Sequence, residues 1–226
     1  MKIAQRQKRW FMKWTAMMAA AVMMLGMYSG LWVSAAYENT HTNTGNQRED
    51  IVAIAETQVG YHESGLEGRT SGNNNDTKYD IDLYQIDSSY HYAWCQAFVS
   101  WCAIQAGVSS SVIKRTAGTI DEIDFFKSQD VWHDGPYYGA SYTPQRGDII
   151  YFYSSTSNSH RHAGIVTDVS DGYVHTIEAN TSGNVVARNR YPLTYSNIVG
   201  YGVPNYSGNL LSLLYQRIVN LICRKT

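Results

Sequence analysis

Between residues 92 and 107, Ala93, Ala97, Phe98, Trp101, Cys102 and Gln105 recur at three- and four-residue spacing. That period predicts a helix, and Gly107 supplies its stop. An earlier stretch has the same spacing in Ile51, Ile54, Ala55 and Gln58-Val59. Asn46-x-x-Glu49 is a candidate capping box at its start, and Gly60 ends it. A third helix begins at a second candidate box, Thr119-x-x-Glu122, runs through Ile123 and Phe126, and ends near Gln129. Residues 109–114 fit a short helical turn. From Asp148 the period changes. Runs at 149–153, 163–167, 173–179, 185–188 and 198–202 read as short strands separated by Gly, Asn, Ser and Asp. Three helices followed by about five antiparallel strands make an α+β fold, with the N-terminal helices packed on a small antiparallel sheet.

The two ends fall outside this pattern. Residues 1–36 open with Lys2, Arg6, Lys8, Arg9 and Lys13, continue through a largely apolar run at 16–33, and close on Ser34-Ala35-Ala36. A basic start, an apolar stretch and small residues at a cleavage point are the pattern of a secretory signal peptide. The alternative is an uncleaved anchor, because the run approaches the ~20 residues that span a bilayer. Residues 37–46 read as a polar linker and 47–206 as the globular domain. Residues 207–226 read as an amphipathic helix with Leu210, Leu211, Leu214, Ile218, Leu221 and Ile222 on one face. That helix docks on the domain, lies on a membrane surface or binds a partner. Two loops stand out. Residues 61–77 are rich in Gly and Asn and lead to the Cys95 helix, as a candidate cleft wall. Residues 134–143 carry three tyrosines that either line a groove or pack locally.

Charge and cysteine usage narrow the classes. The chain has 18 basic and 19 acidic residues; without residues 1–36 the balance is 13 against 19, a net charge of −6. An acidic domain does not offer the broad basic surface that nucleic acid needs. Three cysteines give no disulfide framework. A Cys95–Cys102 bridge is excluded because two helical turns separate the residues by about 10 Å.

The remaining signal is chemical. Cys95 stands at the start of its helix, where unpaired N–H groups and the dipole favour a thiolate. Cys102, two turns deeper, reads as a small buried hydrophobe. His162 precedes an apolar run, and Glu178-Ala179-Asn180 closes a later strand-like run. A cysteine, then a histidine, then a carboxylate or amide is the order expected of a thiol acyl-transfer site. Cys95 is the candidate nucleophile, His162 the base and Glu178 the preferred orienting residue. Asn180, two residues on, would share its face in a continuous strand. The Cys95 N–H is the first oxyanion donor, with Tyr92 and Gln96 as further cleft candidates. His160-x-His162 lacks the further ligands zinc would need. His91 lies close before Cys95, and His175 alternates opposite to Glu178 as a structural strand residue.

These blocks resemble the CHAP domain, the cysteine- and histidine-dependent amidohydrolase/peptidase family of the NlpC/P60 group. The resemblance rests on Asn75-Asp76-Thr77-Lys78-Tyr79, on the nine residues from Trp94 to Cys102, and on the run from Pro144 to Phe152. It continues in His162-Ala163-Gly164-Ile165-Val166 and Ile177-Glu178-Ala179-Asn180, where Ala179 replaces a frequent glycine. It favours His162 over His160, and it implies a papain-like fold and cleavage of amide bonds in bacterial peptidoglycan. The expected protein is a secreted or wall-associated, and in the alternative membrane-anchored, thiol hydrolase: an endopeptidase or an N-acetylmuramoyl-L-alanine amidase. It requires no cofactor, with calcium at Asp80, Asp82 and Asp87 as the alternative to a solvated acidic loop. A non-catalytic wall-binding or assembly module of a secretion or conjugation apparatus, or a thiol amidase acting on a small substrate, would use the same fold. Contacts with a membrane or a protein would run through the N-terminal segment or the C-terminal helix.

Overall fold

The computed structural model describes residues 37–63, 75, 77–79, 93–154 and 159–207. The expectations for residues 1–36, for most of the 61–77 loop, for His91 and Tyr92, for Asp80, Asp82 and Asp87, and for the helix beyond 207 lie outside the described residues. From Asn39 on, the described residues belong to one compact unit. It holds helices α1 (Gln47–Thr57), α2 (Cys95–Gln105) and α3 (Thr119–Ser128). Six strands follow: β1 (Trp132–Asp134), β2 (Ile149–Ser154), β3 (Ser159–Ser170), β4 (Tyr173–Glu178), β5 (Ala187–Pro192) and β6 (Ile198–Gly202). All are antiparallel in one sheet of order β1-β6-β2-β3-β4-β5. The α+β expectation is met, with the short edge strand β1 added and β5 running four residues further than its pattern suggested. Among the described residues no helix is long and apolar enough to cross a membrane.

The helix ends differ from the two capping boxes. Asn46 precedes α1 but makes no side-chain cap. Instead the fourth helical residue, Asp50, reaches back: its carboxylate accepts from the Thr44 and Gly45 amides (2.9 and 3.1 Å), the Thr44 hydroxyl (2.9 Å) and His41 Nε2 (2.8 Å). Burial pushes this carboxyl up, and the hydrogen bonds outweigh that and leave it below its usual value. The linker is therefore docked rather than free, with Asn39 and Asn43 bonded to Gln105 at the end of α2. In α3 the cap position is Gly118, and Glu122 turns inward to accept the Lys114 amide at 3.0 Å. Burial raises this carboxyl to about 8, so it is protonated at neutral pH. α2 ends as its sequence dictates. Gly107 takes φ +67° while the Gly107 and Val108 amides bond back to Ile104 and Ala103, a Schellman stop.

Two glycines set how closely helix and sheet approach. Gly202 on β6 faces Phe126 of α3, and a Cβ there would lie 2.3 Å from the ring. Gly200 likewise makes room for Trp132, whose ring is 5.7 Å from Tyr151. The opposite face of the sheet carries a second cluster of Ile150, Phe152, Val166, Val174, Ile198 and Tyr201. Asp148 ties the start of β2 to α1. Its buried carboxylate accepts from Arg48 (2.8 Å), the Tyr142 hydroxyl (3.0 Å) and the Gln145 amide (2.8 Å), so the Arg-Gly-Asp run is a structural staple.

Gly202→Ala forces a methyl against the Phe126 ring, and the expected cost is about 1–3 kcal/mol of stability, read as a lowered urea midpoint with unchanged slope. Glu122 gives a pH signature. Its folded value near 8 lies above the ordinary 4.5, so its contribution is full below pH 4.5 and is lost as pH rises through about 8. Glu122→Gln, which keeps the acceptor for Lys114, is expected to flatten that part of the curve of melting temperature against pH.

Candidate active site

α2 places Cys95 as its first helical residue, behind Trp94, which offers no side-chain cap. The first amides of a helix lack intrahelical acceptors, so the thiol stands beside free N–H groups at the positive end of the dipole. The first turn is pinned by aromatic packing. Tyr79 stacks on Trp94 (5.7 Å, 18°) and meets Phe98 and Trp101 edge-on at 5.3 and 5.2 Å. Its hydroxyl donates to Gln58 of the segment ending α1 at 3.1 Å. Lys78 Nζ sits 4.7 Å over the Trp101 ring, a cation–π contact that closes the cluster. The Asn75 to Tyr79 block thus acts, through Lys78 and Tyr79, in the packing that aims Cys95.

His162 comes from β3, paired with Phe152 of β2, and the two rings lie 5.8 Å apart. The imidazole is hydrogen-bonded to Cys95. Its Nε2 lies 2.8 Å from Glu178 Oε2, with side-chain exposures of 26% for His162 and 1% for Glu178. Nε2 is thereby committed to the carboxylate, which leaves Nδ1 for the thiol. Burial pushes the imidazole down, but the bonds to Cys95 and Glu178 and their charges outweigh it and raise it from 6.5 to about 10. The other cysteine contrasts: Cys102 is fully buried, and burial pushes its thiol well up. Neither thiol is in a disulfide.

Glu178 reaches His162 because of Gly164. The two are directly paired across β3 and β4. A Cβ on Gly164 would lie 2.5 Å from Glu178 Cγ, so the missing side chain is the passage the carboxylate occupies. Two more groups hold that carboxylate. The Thr176 hydroxyl donates to Oε1, and the Tyr191 phenol donates to Oε2 at 3.1 Å. Tyr191 itself lies against Phe152 (4.8 Å) and stacks on Tyr195 (5.3 Å, 16°).

The sequence-derived candidates separate here. Cys95, His162 and Glu178 are brought into one hydrogen-bonded line. Asn180 is not a strand neighbour of Glu178: β4 ends at Glu178, and Asn180 bends away at φ +55°, which removes the shared-face argument for it. An asparagine tolerates that left-handed conformation better than most residues. Gln96 is buried, and neither of its side-chain polar atoms has a hydrogen-bond partner. His175 lies 3.2 Å from Ser170 Oγ, away from Glu178. Among the described residues no group of three His, Cys, Asp or Glu is placed to hold a metal ion. The sequence reading has no role for Thr176 or Tyr191, and it has Gly164 only as part of the His162 to Val166 block. Alternation alone places Thr176 on the Glu178 face; Tyr191 lay beyond the strand that its pattern suggested.

Residues 87–180 match the CHAP domain. The matched interval holds the whole Cys95–His162–Glu178 line; Tyr191 lies outside it. No curated protein matches the sequence. Among solved structures the chain is similar to Ly7917 with the hydrolysing product of MDP, at 22% identity and a TM-score of 0.35, over 50% of this chain and 54% of that one. It is similar also to Ly7917 without that description, at 22% identity and a TM-score of 0.34, over 50% and 53%. The match therefore spans about half the length of that relative.

The raised His162 has consequences for stability and titration. Its folded value near 10 lies above the ordinary 6.5, so its contribution is full below pH 6.5 and is lost as pH climbs through about 10. Glu178→Gln removes the facing charge. NMR titration of the His162 ring is expected to place its midpoint at least one unit lower, with a shallower fall of stability across that window.

Proposed function

We propose that the chain is a thiol-dependent hydrolase that cuts amide bonds of bacterial peptidoglycan. The observation that carries this is the hydrogen-bonded line from Cys95 at a helix start, through half-buried His162, to fully buried Glu178. The match to the CHAP domain supports the hydrolase class, and the resemblance of the Trp94 to Cys102 block supports the wall substrate.

The chemistry follows from the geometry. The His162 Nδ1 takes the Cys95 proton, and the thiolate attacks the carbonyl carbon of the scissile amide. Negative charge moves to the carbonyl oxygen, where the Cys95 amide at the positive end of α2 stabilises it. As the C–N bond breaks, imidazolium returns the proton to the leaving amine. A thioester remains on Cys95. Water then gives a proton to His162 and its oxygen to the acyl carbon, releasing a carboxylic acid and restoring the thiol. Glu178 keeps the ring in the orientation that aims Nδ1 at the thiol. Cys102, buried with its thiol pushed up, takes no part.

The reading extends to place and bond. The basic-apolar segment 1–36 is consistent with export to the wall, cleaved or as an anchor. An endopeptidase acting within the stem peptide and an amidase acting between sugar and stem both use this chemistry.

The test is release of soluble muropeptides from purified peptidoglycan by the full chain, beside Cys95→Ala and His162→Ala, with and without calcium. Release is expected from the native protein, with a loss of about 10²–10⁴-fold for His162→Ala and no detectable turnover for Cys95→Ala. Product masses identify the bond. Native protein as silent as both variants on walls of several bond types would overturn the enzyme reading and leave a wall-binding module.

A further inference from the structure

We propose that Tyr191 is a positioning residue of this site, whose phenol donates to the same Glu178 oxygen that faces His162 and so holds the carboxylate aimed at Nε2. The inference rests on the thiol-hydrolase reading for its catalytic meaning, though not for its geometry.

The argument starts from burial. Glu178 is 1% exposed, so water does not satisfy its carboxylate. A buried carboxylate without donors is unstable as an anion and takes up a proton. Three donors reach it, each from a different place in the sheet: His162 Nε2 from β3, the Thr176 hydroxyl from β4 and the Tyr191 phenol from β5. Two of them share Oε2, so the phenol fixes the oxygen on which the imidazole depends. The consequence is a fixed ring orientation. An ionised carboxylate only accepts, so it holds the Nε2 proton and aims Nδ1 at the Cys95 sulfur, whether the ring is imidazole or imidazolium. A protonated Glu178 would lose the charge that opposes the imidazolium and weaken its hold on the Nε2 proton, and the ring would no longer be aimed at Cys95.

The titratable groups that bear on Glu178 among the described residues are His162 and Tyr191, with Cys95 one hydrogen bond beyond. The Tyr191 phenol is pushed up by burial and then by Glu178, so it stays a neutral donor across the working range. Its ring is fixed between Phe152 and Tyr195, which gives the donor one direction.

Tyr191→Phe keeps the ring and removes only the hydroxyl. The readout needs no substrate: the low-field His162 Nε2 proton resonance of the full chain, followed on acidification and assigned by its absence in His162→Ala. Loss of one donor makes the carboxylate easier to protonate. The midpoint at which the resonance disappears is expected to rise by about one pH unit, a tenfold change in the protonation equilibrium. The acid limb of kcat/KM on peptidoglycan is expected to rise by the same amount while KM at neutral pH stays put. Thr176→Val tests the same carboxylate from Oε1 and is expected to move the midpoint the same way. A Tyr191→Phe protein that melts like the native one and shows an unmoved midpoint overturns the proposal. Should Tyr191→Phe not fold, an unmoved midpoint in Thr176→Val overturns it equally. A shifted resonance in a chain that releases nothing from walls would support the positioning role and refute only the hydrolase reading.

Discussion

The structure turns on one buried carboxylate. Glu178 ends β4, between β3 and β5, with almost no exposure, and such a group persists as an anion only when donors surround it. The donors here come from three consecutive strands, so the carboxylate can be satisfied only when β3, β4 and β5 are in register. A slip of β3 or β5 by one residue against β4 would turn His162 or Tyr191 to the other face and leave the charge short of donors. Site and sheet therefore specify each other. The long antiparallel pairing of β3 with β4 is the frame, and the charge network makes the correct register the favoured one.

The second requirement is that a helix end meet that frame. Cys95 must arrive at His162, and α2 carries it there because its first turn is held by Tyr79, Trp94, Phe98 and Trp101. Elsewhere glycine governs the approach of layers: Gly202 admits Phe126, Gly200 admits Trp132, and Gly164 admits the Glu178 side chain. The first two set packing distance. The third clears the path of a functional group, so a substitution there would disturb chemistry before it disturbed the core. Asp50 and Asp148 fasten α1 and its preceding segment, so the helix side of the site is braced by carboxylates that resemble Glu178 in their many donors.

The two cysteines of α2 show how little separates a candidate nucleophile from a packing residue. They lie on one helix, seven residues apart. Cys95 stands at the helix start, where the first amides lack intrahelical acceptors, with an imidazole beside it. Cys102 is fully buried, and burial disfavours its thiolate in spite of the Lys78 charge. Position on the helix, rather than residue type, assigns the chemistry. Glu122 makes the same point for carboxylates: buried and given one backbone donor, it holds its proton to about pH 8.

Hydrophobic period and residue type determined a great deal by themselves. The helices around Ile51, Phe98 and Phe126 were legible because their buried faces repeat every three to four residues, and the strands at 149–153 and 198–202 because their β-rich runs are bounded by turn residues. The order of Cys95, His162 and Glu178 was legible because thiol chemistry needs a nucleophile, a base and an orienting group. The caps differ from the sequence pattern because Asp50 binds the turn ahead of α1 while Asn46 makes no side-chain cap, and Glu122 turns into the core. Asn180 was placed by assuming a straight strand, and a single left-handed residue broke that assumption. Tyr191 had no local signature, and Gly164, though part of the His162 to Val166 block, showed no reason for its missing side chain. A hydroxyl thirteen residues from a carboxylate, and a glycine fourteen before it, acquire meaning only when β-pairing sets them side by side. Short-range pattern is a property of one segment. Hydrogen-bond satisfaction in a sheet interior is a property of several segments at once, and tertiary structure alone decides it.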